Sequence, residues 1–475
     1  MNFAELDFWI FFALVFAVYA LLRHKAQNRF LLVASYVFYG MWDWRFCSLI
    51  AISTVVDFFV GKAIQTSDDD SKRKKLLWIS MASNLGILGF FKYFNFFADS
   101  FTALTSTVGY TPGFFELKIL LPVGISFYTF QTMSYTIDIY RRKLKPTNDF
   151  FDFALFVAFF PQLVAGPIER ATNLLPNVSN PRTMSYDKFS RGAMLCLLGL
   201  VKKLAVADGV APSVNAIFAS AAPSGAEIMI ATWLFALQIY CDFSGYSDIA
   251  RGVSKMLGFE LMKNFKMPYF ATNPQNFWHR WHISLSTWLR DYLYISLGGN
   301  RGGPVKTYRN LMATMVLGGL WHGAAFNFIL WGLYQGMMLC VHRFLTNRFP
   351  TAPFIRPSKF GLVKAIKLLL FFQLVCYGWL LFRADSFSQI IQFTGALLHL
   401  SPGQFTDLNI PRPPLGALAG IVLLFIHDLL EETSQTPKFY APWARLLRTA
   451  AYGAFTYVIL MSLSNETSEF IYFQF

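Results

Sequence analysis

Apolar runs recur along the whole of this chain, separated only by short charged loops. Within a bilayer every backbone polar group must be satisfied internally, so such runs fold as helices packed against one another. Only 14% of the residues are charged, against about 25% in soluble domains, while 55% are hydrophobic and 18% aromatic. No polar linker separates two folded units. The expectation is an all-α integral membrane protein, one embedded unit over residues 1–475, with a polar island at about 240–331.

The net charge of +14 does not point to nucleic acid. Nucleic-acid binders gather Lys and Arg on water-facing surfaces. Here the basic residues flank apolar runs, as in cytoplasmic loops of membrane proteins. Cys47, Cys196, Cys241, Cys340 and Cys376 lie within or beside apolar runs and form no C-x-x-C pair. They read as reduced packing residues rather than as a disulfide framework or a zinc site.

Residues 8–22 form the first run, and Arg23, Lys25 and Arg29 follow it in place of a cleavage site. This run reads as a retained first helix with its N-terminus outside. Residues 30–40 and 46–60 are each short of the roughly 20 needed for a full crossing. Basic flanks on both sides suggest a shallow hairpin or re-entrant pair turned near Gly40-Met41-Trp42-Asp43. Residues 76–97 then cross outward. The loop to Leu117 is poor in basic residues, and residues 119–140 return to Arg141-Arg142-Lys143. Further runs lie at 150–165, 191–206, 226–241, 311–331, 328–347, 362–383, 387–400, 414–430 and 449–463. Pro161 and Gly166-Pro167 interrupt this pattern, and irregular backbone at membrane depth implies a protein-lined cavity. No internal repeat is visible, which weakens an inverted-repeat transporter reading.

The polar island carries the chemistry, because polar groups at membrane depth are costly and mark a site or pathway. His322 stands in Leu-Gly-Gly-Leu-Trp321-His322-Gly-Ala-Ala-Phe, with no charged neighbour from Leu311 to Trp331. One reading is a core histidine bonded to a backbone carbonyl. The other is a general base, neutral in these surroundings and ready to accept a proton. Gly318, Gly319 and Gly323 leave room for a group to approach the ring, which favours a site. His279 and His282 are three apart, hence on one helix face, beside Trp278 and Trp281. A metal site is disfavoured there because no carboxylate lies nearby. Trp278, Trp281 and Trp288, with Arg280 and Arg290, also fit an interfacial belt. That belt leaves Ser284 and Ser286, alternating with apolar residues after His282, unexplained. Gly298-Gly299-Asn300-Arg301-Gly302-Gly303 is either a weak source of positive field for a phosphate-rich donor or an ordinary cytoplasmic loop. Asp242 is a candidate to orient a histidine or to pair with Arg251.

Several motifs then resemble a known family: Trp281-His282-Ile-Ser-Leu-Ser, Trp-Leu-Arg290-Asp-Tyr-Leu-Tyr-Ile, Leu-Gly-Gly-Asn300-Arg301 and Leu-Gly-Gly-Leu-Trp321-His322-Gly. With Phe38-Tyr39-Gly40, Pro122-Val-Gly-Ile-Ser, Phe160-Pro-Gln-Leu, Cys241-Asp242-Phe-Ser-Gly and the closing Phe-Ile-Tyr-Phe-Gln-Phe475, they span essentially the whole chain. Together they resemble the membrane-bound O-acyltransferases, most of all the bacterial branch that O-acetylates polysaccharides. The resemblance implies a bundle of about eleven or more spans, with short or re-entrant helices, around a funnel or tunnel. It implies His322 as the essential histidine and His282 as the second site residue. Trp281, Trp321, Asp242, Ser284, Arg290, Asn300 and Arg301 are the candidate supporting or donor-binding residues. It further implies a multi-pass protein of the bacterial inner membrane and acetyl-CoA as donor substrate, with no tightly bound cofactor and no metal. An extracytoplasmic glycan and a periplasmic acetyltransferase partner complete the expected system. The nearest alternative is a D-alanyl transferase of the teichoic acid type, and the more distant one a transporter or flippase.

Overall fold

Hydrogen bonds made by single side chains decide where several helices of this chain begin and break. The computed structural model describes residues 2–110, 119–164, 166–352, 361–433, 445–463 and 470–471, and among these the regular structure is helical with no strand. The residues group into two compact units, 1–193 with 250–262 and 194–249 with 263–475.

The first unit holds α1 (Leu6–Leu21), α2 (His24–Asp43), α3 (Cys47–Thr66), α4 (Asp70–Ser106), α5 (Ile125–Tyr140), α6 (Phe150–Ala158), α7 (Phe160–Leu163) and α8 (Ala171–Ser179). Asp69 caps α4 by accepting from the Ser71 amide, and Asp149 caps α6 by accepting from Phe151 and Asp152. Pro161, at the start of α7, separates it from α6 at Phe159. A shallow hairpin was expected at residues 30–60, but α2 and α3 each run 20 residues, about 30 Å. The helices continue through the polar flanks His24–Arg29 and Gly61–Thr66, which hydropathy alone counts as loop. The turn between them is Trp44–Phe46, fixed by Asp43 accepting from the Arg45 amide, and so lies just after residues 40–43.

Polar side chains join α3, α4 and α5. Ser80 donates to Asp57 at 2.6 Å, Asn84 donates to the other Asp57 oxygen at 2.8 Å, and Thr132 donates to Asn84 at 3.1 Å. Such interhelical bonds hold helices together where apolar packing gains nothing over lipid. Arg73 belongs to the basic cluster read as a cytoplasmic flank, yet it is buried and donates to the carbonyls of Ile64 and Tyr140 at 2.7 and 2.8 Å. It thereby satisfies open carbonyls at the ends of α3 and α5. The expected outer loop after residue 97 begins later than hydropathy suggests, because α4 continues as helix to Ser106; residues 111–117 of that loop lie outside the described residues.

Two helices, α9 (Tyr186–Leu200) and α11 (Gly225–Met256), contribute residues to both units. In the second unit α9 passes through a π-helical stretch, Val201–Ala207, into α10 (Asp208–Phe218). Two short helices, α12 (Pro274–Trp278) and α13 (Ile283–Trp288), precede α14 (Pro304–His322) and α15 (Phe326–Arg348). The remaining helices are α16 (Leu362–Arg383), α17 (Phe387–Leu398), α18 (Leu415–Thr433) and α19 (Arg445–Met461). The overlapping apolar runs 311–331 and 328–347 resolve into α14 and α15, broken directly after His322.

The α14–α15 contact is a glycine seam. A methyl group at Gly319 would strike the Phe328 carbonyl and the Gly332 backbone, and one at Gly332 would strike the Met315 carbonyl. Small residues let membrane helices approach this closely. Among the described residues, four helical segments are long and apolar enough to cross a membrane: His24–Thr66 as a bent unit, Gly225–Met256, Phe326–Arg348 and Leu362–Arg383. Shorter apolar helices, Leu6–Leu21, Phe387–Leu398 and Thr449–Met461, accompany them.

Candidate active site

His322 is the last residue of α14, and the chain turns extended at Gly323 immediately after it. Its ring is packed edge-on by Trp321, Trp331 and Phe382 at centroid distances of 5.0, 5.1 and 5.4 Å. It is 6% exposed, so the imidazole is enclosed without being sealed. The room expected around it is partly taken: Gly323 lies against the Phe328 ring and Gly319 against the α15 backbone. Those two glycines serve helix packing. Only Gly318 faces a side chain that can yield, Leu289 at 3.1 Å.

His282 sits in the turn between α12 and α13 with a left-handed backbone, φ 41° and ψ 56°. A non-glycine residue there is strained by about 1–3 kcal/mol, and such strain concentrates at functional sites. The turn is held from outside. Ile283 donates its amide to the Asn264 carbonyl at 2.9 Å, and Ser284 donates both its amide and its hydroxyl to the Asn264 side chain. Asn264 is itself buried and donates to Ser247 at 3.2 Å.

The shared helix face expected for His279 and His282 does not form, because α12 ends at Trp278 and the turn separates the two residues. His279 is exposed, whereas His282 is fully buried. His282 lies outside the spanning helices, and burial pushes its pKa down to about 3, leaving a neutral ring. No cluster of metal-ligating side chains occurs among the described residues.

Trp321 connects the two histidines: its ring lies 6.0 Å from that of His282 and 5.0 Å from that of His322. Phe243 packs edge-on to His282 at 4.6 Å, and Phe265, itself against Phe243 at 5.0 Å, lies parallel to the His282 ring at 6.4 Å. Trp281 is buried against Phe265 at 5.0 Å and Trp379 at 4.8 Å, so it is a wall of the site rather than part of a belt. Arg280 pairs with Glu432 at 2.7 Å, and Arg290 pairs with its neighbour Asp291.

The structure thus brings His322, His282, Trp281, Trp321 and Ser284 into one neighbourhood. It leaves Arg290, Asn300 and Arg301 on exposed surface. Tyr294 donates to Asn300 at 2.6 Å, and four glycines of that loop adopt positive φ. Asp242 pairs with Lys203 at 2.9 Å.

Several residues were missed in the sequence. Lys202 and Lys203 lie in the 191–206 run and pair with Asp248 at 2.7 Å and Asp208 at 2.8 Å. His427-Asp428 lies in the 414–430 run, with Tyr240 donating to Asp428 at 2.8 Å. Charged residues inside apolar runs were the available signal for these. Nothing local marks Asn264.

Comparison with known proteins gives this arrangement a context. Residues 140–378 match the membrane-bound O-acyltransferase family, a stretch that contains both histidines. A probable alginate O-acetylase AlgI of Pseudomonas putida is 38% identical over 490 aligned positions, covering 98% of each chain. A peptidoglycan O-acetyltransferase of Helicobacter pylori is 33% identical over 81% of this chain and 77% of its own. A teichoic acid D-alanyltransferase of Bacillus subtilis is 27% identical over 56% of this chain and 69% of its own. The chain that builds this histidine pair at a helix break belongs to the membrane-bound O-acyltransferase family, and it is a membrane-embedded acyltransferase.

Proposed function

We propose that this acyltransferase moves acetyl from cytoplasmic acetyl-CoA toward a hydroxyl of an extracytoplasmic polysaccharide, with a periplasmic acetyltransferase partner completing the transfer. The proposed location is the bacterial inner membrane, with the N-terminus outside. The observation that carries the reading is the placement of His322 at the break after α14, enclosed by aromatic rings and joined through Trp321 to a strained, neutral His282. The O-acetylating relatives support acetyl as the group and a glycan as the destination.

In this mechanism the acceptor oxygen attacks the thioester carbonyl while His322 takes its proton. The tetrahedral intermediate then expels the coenzyme A thiolate, which recovers that proton from the imidazolium. General-base help of this kind contributes about 10²- to 10⁴-fold. His282 positions the donor or donates to the oxyanion as it forms, a role for which a neutral ring N–H is suited. The aromatic walls exclude water that would otherwise hydrolyse the thioester.

The D-alanyl relative keeps a second reading in view, in which the acyl group comes from a carrier protein. The test supplies purified enzyme in nanodiscs with labelled acetyl-CoA or labelled carrier-bound D-alanine, together with candidate partners. Label moving only from acetyl-CoA is the expected result. Transfer only from the carrier overturns the acetyl reading.

A further inference from the structure

Asp242 lies in the Cys241-Asp242-Phe243 stretch of α11, next to the ring that walls His282. One of its oxygens meets the Lys203 ammonium at 2.9 Å, and the other accepts the Ile471 amide at 2.6 Å. Lys203 also holds Asp208 at 2.8 Å, so one buried cation serves two carboxylates. The lysine stands on the π-helical stretch Val201–Ala207, a geometry found mostly as local insertions in α-helices and frequently at functional sites.

The residue before the captured amide completes the arrangement. Phe470 is fully buried, with its ring 4.2 Å from Tyr246 and 5.9 Å from Phe243. Phe243 in turn packs on His282 at 4.6 Å. The 470–471 segment is therefore tied by its backbone to Asp242, and its side chain backs the wall of the site.

We propose that Lys203 and Asp242 are positioning residues that anchor the 470–471 segment, and that Phe470 holds Phe243 against His282. A charged anchor is an expensive way to fix a segment in a membrane protein. It is explicable when the segment must not move relative to a reacting group, since a displacement of about 1 Å costs up to about 10²-fold in rate. The catalytic part of the proposal rests on the acetyl-transfer reading above. The anchor itself does not.

The experiment measures amide exchange and acetyl transfer on the same full-length preparations. In Asp242→Ala the peptide containing Ile471 should exchange faster while the rest of the protein stays protected, and turnover should fall about 10- to 100-fold with little change in KM for acetyl-CoA. Phe470→Ala keeps the ion pairs and should show the same fall in turnover, so it carries the test if Asp242→Ala does not fold. In a His282→Ala background the Phe470 substitution should cost little more, because both act on one ring. Unchanged exchange in Asp242→Ala overturns the anchor. Wild-type turnover in Phe470→Ala, or full additivity with His282→Ala, overturns positioning. If wild type itself transfers no acetyl, the acetyl reading fails, and exchange alone decides for or against the anchor.

Discussion

The side-chain oxygen of Asn264 accepts from both the amide and the hydroxyl of Ser284, at 3.2 and 2.9 Å, and so pins the turn that contains His282. The left-handed backbone of His282 persists only because such bonds determine it from outside. Asn264→Ala leaves two buried donors without their acceptor and should cost about 1–3 kcal/mol of stability. It should also lower turnover by at least about tenfold, through misplacement of the His282 ring. Thermal unfolding in detergent and acetyl transfer on the same sample check both. A stable variant with wild-type turnover would show that the turn needs no support.

The glycine seam between α14 and α15 predicts a contrast between neighbours. Gly319→Ala drives a methyl into the Phe328 carbonyl and the Gly332 backbone and should destabilise by about 1–3 kcal/mol. Gly318→Ala meets only the mobile end of Leu289 and should be tolerated. Comparison of the monodisperse fraction after heating separates the two.

Lys203 neutralises two buried carboxylates, Asp208 and Asp242, at 2.8 and 2.9 Å. Lys203→Met strands both charges, and breaking a buried pair in this way costs about 3–5 kcal/mol. The expected outcome is failure to accumulate folded protein. Arg301→Ala, on the exposed glycine loop, should express normally.

Burial holds His282 neutral, with its pKa pushed down to about 3. The ring binds no proton at pH values well above that, so an acid limb in the pH–rate profile between about pH 5 and 8 belongs to another group. His282→Gln should lower the plateau and leave the apparent pKa of that limb in place. A limb that moves or disappears would assign the titration to His282.

The parts of this molecule that were legible in the sequence are those written locally. The long apolar runs around residues 226–241, 362–383 and 387–400 became α11, α16 and α17, although α11 continues through the polar stretch to Met256. His322 stood out because it is the lone ionisable group in the apolar run 311–331. Helix ends were less legible: polar flanks continue α2 and α3, and a break after Trp278 places His279 and His282 in opposite surroundings. Long-range partners were not legible at all. Lys203 reaches Asp242 and Asn264 reaches Ser284 through tertiary contacts that no spacing encodes. The closing motif is only partly described, at Phe470 and Ile471, and its meaning appears once Asp242 is seen to hold it.

The central claim is that His322 performs the proton transfer of acetyl transfer. The most direct measurement follows label from acetyl-CoA to a partner or glycan with purified wild type and His322→Ala, after showing that both are equally folded. The account predicts transfer by wild type and a loss of at least about 10²-fold in the variant. A folded His322→Ala enzyme that transfers acetyl at the wild-type rate would contradict it.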